Sequence, residues 1–117
     1  KAPEATGPYS QGTTAGRLVF TSGQIAVADD AETLIDGDIA AQTERVFEII
    51  ELVLAEVDCT LDDVAQTTVY LTDLADLEVV DRIYEEHFTM PAPARSVVCV
   101  SSLPLGALIE MDCIACR

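Results

Sequence analysis

Between residues 38 and 57 (DIAAQTERVFEIIELVLAEV), Ile39, Val46, Ile50, Val53 and Val57 fall on one side of a helical projection. Glu44, Glu48 and Glu51 take the other side. That rhythm predicts an amphipathic helix, with Asp36 or Asp38 as its N-cap. Leu77, Val80, Tyr84 and Phe88 space a second helix over 74–88, capped by Asp73 or Asp76 and stopped by Met90-Pro91-Ala92-Pro93. Elsewhere the pattern is extended. RLVFTSGQIAV (17–27) reads as a strand interrupted at Ser22-Gly23, and TTVYLT (67–72) is β-branched and aromatic. The segments 95–101 and 106–115 read as two closing strands around a turn at Pro104-Leu105-Gly106, paired as a hairpin. The acids and Gly37 of 28–37 have loop composition, and TLDDVAQ is a short connector. The order predicts one α+β domain over residues 1–117, a mixed β-sheet with two helices packed on one face. The other face, fed by apolar strands, would stay uncovered, which predicts an oligomer formed where free sheet faces meet.

Composition narrows the function. Half of the 117 residues are hydrophobic, which excludes disorder, and no apolar run approaches the roughly 20 residues that cross a bilayer. No membrane partner and no signal peptide are expected, so the expected compartment is cytoplasmic. Six basic residues stand against twenty-one acidic ones, a net charge of −15. Nucleic acid would meet like charge on such a surface and is not an expected partner. With a single Lys and abundant Asp, the balance reads as adaptation to a salty cytoplasm, where ionic strength screens the self-repulsion.

Cys113 and Cys116 form a C-x-x-C, yet they lie in ALIEMDCIAC, a strand pattern, where residues three apart point to opposite faces. They read as small buried hydrophobes, and no metal site is expected. The phosphate loop, G-x-G-x-x-G, H-E-x-x-H and G-x-S-x-G are all absent. The one histidine, His87, sits beside Phe88 on a helix, poorly placed to serve as a base.

What remains is a set of polar residues where apolar ones would pack better: Arg95 opening a strand, Glu110 inside another, Tyr9 after Gly7-Pro8, and Ser22 at a strand interruption. Each alone has an ordinary explanation: a strand-end cation, a solvent-facing acid, a packing aromatic, a bulge. Together they suggest chemistry. If 95–101 and 106–115 pair as a hairpin, Arg95 and Glu110 fall toward the same open end. A guanidinium fork suits a substrate carboxylate, and a nearby carboxylate suits an attacking water.

The segments GPYSQG (7–12), TSGQI (21–25), PARS (93–96) and LPLGALIEMDCIA (103–115), with VAQTTVYLTDL (64–74) between them, resemble the motifs of the reactive-intermediate deaminase (Rid/YjgF) family in order and spacing. The resemblance implies a chorismate-mutase-like fold, a homotrimer with sites in clefts between subunits, and no metal or organic cofactor. It implies hydrolysis of enamine/imine acids such as 2-aminoacrylate to 2-keto acids and ammonia, of the 2-iminobutanoate/2-iminopropanoate deaminase type. By motif, Arg95 would hold the substrate carboxylate, Glu110 would position water, and Tyr9 and Ser22 would line the pocket. Three departures stand out: Val97 where a Cys is frequent, Asp81 where an Asn is frequent, and a short 84–95 segment. The alternative is a regulatory module that binds a small carboxylate without turnover.

Overall fold

The computed structural model describes residues 1–117 and shows the expected α+β architecture: a five-stranded mixed sheet with two helices on one face. In chain order the elements are β1 (Gly12–Ala15), β2 (Leu18–Thr21), α1 (Ile39–Ala55), β3 (Val64–Leu71), α2 (Leu77–His87), β4 (Ala94–Cys99) and β5 (Ile109–Cys116). The strand order is β1-β2-β5-β3-β4, antiparallel throughout except for the parallel pair β3–β4.

Helix α1 forms where its apolar stripe predicted. Asp38 caps it, its carboxylate accepting from the Ala41 N–H at 3.1 Å. At the far end Asp58 turns left-handed (φ +59°), so the Asp58 N–H reaches Ala55 O and the Cys59 N–H reaches Leu54 O. Those are the two bonds of a Schellman cap, and they end the helix before Val57. Phe47, Ile50 and Leu54 are at most 1% exposed. Each contributes about 1.5–3 kcal/mol by leaving water. They meet Val80, Ile83 and Tyr84 of α2 and the inward residues of the sheet, among them Val69, Leu71, Ile109, Met111 and Cys113. The second predicted helix is split: Asp73 caps a 3-10 turn, Leu74–Asp76, and α2 proper follows.

Two strand expectations need correction. The stretch read as one strand from 17 is the second arm of a hairpin, whose first arm β1 is polar and fully exposed. Gly16 (φ +61°) supplies the first position of its two-residue turn. The strands β4 and β5 do not form a hairpin. β3 lies between them, because α2 carries the chain over to a parallel β4 at the sheet edge, and β5 then returns between β2 and β3.

The sheet face away from the helices is uncovered, as expected. Val98, Phe20, Ile114 and Tyr70 are exposed or half-exposed there, but Glu110 and Asp112 interrupt the apolar surface. No helix of the structure is long and apolar enough to cross a membrane.

Candidate active site

Along β5 burial alternates, so Ile109, Met111 and Cys113 face the helices while Glu110 and Asp112 face the uncovered side. What β2 presents to Glu110 depends on a bulge. Strand pairing runs regularly to Phe20↔Ile114 and resumes at Gln24↔Met111, with one residue more on the β2 side than on β5. The bulge brings Gly23 against Glu110: a Cβ at position 23 would lie 2.2 Å from Glu110 Oε2. Only glycine leaves room for that carboxylate.

Glu110 opens into a cavity of about 420 Å³, lined also by Tyr9, Gln11, Gln24, Ile25 and Leu105. Gln24 is buried and donates to Gln11 Oε1 at 2.8 Å, tying the 9–12 segment to the sheet. Gly7 lets the chain fold back, since its missing Cβ would lie 3.0 Å from the Tyr9 ring. Leu105 takes φ +59° and exposes its side chain at the rim. No hydrogen bond ties the Glu110 carboxylate within the chain, and burial, reinforced by Asp112, pushes its pKa up. A half-buried carboxylate without a partner is poised to accept a proton or orient a water.

Arg95 lies elsewhere. It is in register with Thr67 on the edge strand β4, on the helix side of the sheet. Its Nη1 donates to Asp81 Oδ1 of α2 at 2.6 Å, and its guanidinium carbon sits 4.9 Å from the centre of the Tyr84 ring. The hydroxyls of Tyr84 and Thr67 share a 2.8 Å hydrogen bond, so the ring beneath the cation is fixed. The Arg95 side chain is 25% exposed, leaving part of its fork open toward the edge.

Of the four predicted residues, the chain's own fold thus brings together Tyr9 and Glu110. Arg95 is separated from them by β3 and by the sheet itself, contrary to the hairpin expectation. Ser22 does not line the cavity in the single chain. Its hydroxyl donates to Ser10 O and its N–H to Gln11 O, which shapes the segment carrying Tyr9. In the sequence Gly23 and Gln24 stand with Ser22 in the strand interruption and Tyr84 on the apolar stripe of its helix; none of the three carried a predicted site role. The first two stood inside TSGQI, where a Gln amid a strand was the available signal.

The remaining chemistry-bearing residues are structural. Cys113 faces the core against Thr21, and burial pushes its thiol up to about 11. Cys116 points to the opposite face, as the strand period predicted, but it is exposed there at the end of β5 rather than buried as expected. His87 stacks on Phe47 at 4.3 Å with Nε2 2.6 Å from Glu44, joining the two helices. No three His, Cys, Asp or Glu side chains converge as a metal site would require.

The family model described as Endoribonuclease L-PSP matches residues 1–117. A RutC family protein of Pyrococcus abyssi is 44% identical over 115 residues, covering 98% of this chain and 91% of that protein. A human protein named 2-iminobutanoate/2-iminopropanoate deaminase is 35% identical, covering 98% of this chain and 84% of its own length. Among solved structures, RidA from an Antarctic Psychrobacter superposes with a TM-score of 0.94 at 37% identity, over 100% of this chain and 94% of that one.

Proposed function

The chain belongs to the reactive-intermediate deaminase (Rid/YjgF) family, described as Endoribonuclease L-PSP, and on that premise we propose that it hydrolyses 2-imino acids to 2-keto acids and ammonia. The observation that carries the reading is Glu110: half-buried, without a hydrogen-bond partner, raised in pKa, and held against Gly23 beside Tyr9. The name of the human relative supports the substrate class.

The chemistry follows from what the side chains offer. An enamine acid first tautomerises to the imine. Water adds its oxygen to the imine carbon, and one of its protons passes through Glu110 to the imine nitrogen. The tetrahedral adduct collapses as Glu110 takes the proton of the new hydroxyl and delivers it to the amine. The C–N bond breaks, ammonia leaves, and the carbon becomes the ketone of a 2-keto acid. The cavity around Glu110 contains no cation, so the substrate carboxylate needs one from elsewhere. Arg95 has the fork for it, on an edge strand facing outward. Opposite faces of one chain cannot share a small ligand. We therefore assign Arg95 and Glu110 of each site to different copies, with the uncovered sheet face as the contact of a homotrimer. The −15 charge gives RNA no cationic track and weighs against a nuclease, despite the family's description.

The test is imine turnover. An amino-acid oxidase supplies 2-imino acids in high-salt buffer, and their decay is followed with wild type and Arg95→Ala. Acceleration by wild type is expected, with Arg95→Ala losing roughly 2–5 kcal/mol of substrate interaction, as when one partner of a buried charge pair is removed. Full activity in Arg95→Ala would overturn the clamp. No acceleration by a folded wild-type oligomer would favour the carboxylate-binding module.

A further inference from the structure

Arg95 already has a carboxylate. Asp81 Oδ1 accepts from its Nη1 at 2.6 Å, and the Tyr84 ring backs the same guanidinium. Asp81 comes from α2, three residues before Tyr84, so the acid and the ring share one helical face. The remaining N–H groups of the fork stay available, since the side chain keeps a quarter of its surface. From this geometry we infer that Asp81 is a positioning residue that sets how tightly Arg95 grips an anionic ligand. The inference rests on the reading of Arg95 as the carboxylate clamp.

Asp81 does two opposed things. Its hydrogen bond, together with the Tyr84 ring, fixes the guanidinium plane, so a ligand does not bear the cost of ordering a long side chain. Its charge, within the width of one guanidinium from any carboxylate bound to the other edge, repels that carboxylate and offsets the cation. The wild-type clamp is thus rigid and weak. A neutral acceptor of the same shape would keep the rigidity and lose the repulsion. Weak grip suits a product that carries the same carboxylate as the substrate and has to leave.

The two roles separate by substitution. Asp81→Asn retains an oxygen facing Nη1 and removes the charge, whereas Asp81→Ala removes both. The probe is 2-oxobutanoate, a keto acid that binds without turning over, titrated by calorimetry into wild type and both variants in low and high salt. Imine turnover is measured in parallel. Asp81→Asn is expected to bind roughly tenfold more tightly at low salt, for a charge repulsion discounted by the half-exposed setting. The gap should narrow in high salt, where part of the repulsion is screened. In turnover, the same variant should lower KM with kcat unchanged or reduced by slow product release. Asp81→Ala should bind less tightly than Asp81→Asn, because its fork is no longer held.

Equal affinity of wild type and Asp81→Asn, or weaker binding by Asp81→Asn at an unchanged melting temperature, would overturn the charge role. Equal affinity of the two variants would overturn the positioning role. Should Asp81→Asn melt early, Asp81→Ser repeats the charge test at the same half-exposed helix position. Binding of 2-oxobutanoate with the expected ranking, but without imine turnover in any variant, would refute the deaminase reading and uphold this one. No binding by any variant would refute this one directly.

Discussion

Arg95 and Glu110 carry opposite charges, and the fold treats them in opposite ways. Arg95 sits on the helix side of the sheet with an ion pair, an aromatic backing and a fixed ring beneath it. Glu110 sits on the uncovered side, half-buried, with no hydrogen bond in the chain and a pKa raised by burial. Folding alone accounts for the arginine, whose contacts would be unremarkable in any surface network. It does not account for the glutamate, which gives up part of its hydration and gains no hydrogen bond within the chain in return. The carboxylate without a partner in the chain is the better pointer to function, and Gly23 makes room for it.

Glu110→Gln separates the two residues most sharply. The amide keeps the shape and loses the base, so kcat should fall by about 10²–10⁴-fold with 2-oxobutanoate binding little changed, the usual range for general-base catalysis. Lost affinity with retained kcat would exchange the roles of the two residues. The claim that they serve one site from different copies is tested by mixing. Inactive Arg95→Ala and Glu110→Gln chains, unfolded together and refolded, should regain up to about a quarter of wild-type activity, since random cyclic assembly pairs an intact Arg95 with an intact Glu110 at that share of interfaces. Refolded mixtures that stay inactive would place both residues of a site on one chain.

Gly23→Ala is the next largest effect expected. The backbone there is one any residue adopts, but the new Cβ displaces the Glu110 carboxylate. A shift of about 1 Å costs roughly 10²-fold in rate, so kcat should drop in a protein that still folds. Wild-type kcat in this variant would mean that the location of the carboxylate does not matter.

The smallest effect is on stability. A raised pKa in the folded state means that folding favours the protonated Glu110. Its contribution is complete below the unfolded value of about 4.3 and is lost as pH rises through the raised folded value. Glu110→Gln should therefore melt higher than wild type at pH 7 and equally near pH 3. Equal melting at both would show that a cation from a neighbouring copy already offsets the charge.

Much of the fold was legible in the sequence, for a physical reason: helices α1 and α2 are local structures, and their apolar stripes and Asp caps are written within one segment. The sheet was legible strand by strand but not in its pairing. Whether β4 meets β5 or β3 depends on where α2 delivers the chain, and nothing in residues 95–101 records it. A strand, a helix and a strand in succession do favour a parallel crossover, and that succession was visible. Strand β1 escaped because GTTA is polar on both faces and pairs only at the sheet edge. At the site, Glu110 and Tyr9 were found as polar residues out of place. The Asp81–Arg95 pair was not, since it joins residues brought together only by the α2–β4 packing.

The placement of Arg95 and Glu110 on opposite faces also bears on dosage. In the proposed assembly a lone chain carries two half-sites and no whole one, so the rate per milligram depends on how much protein is present. Dilution below the dissociation constant of the assembly would silence the enzyme without unfolding a single chain, and the rate would then rise more steeply than in proportion to protein added.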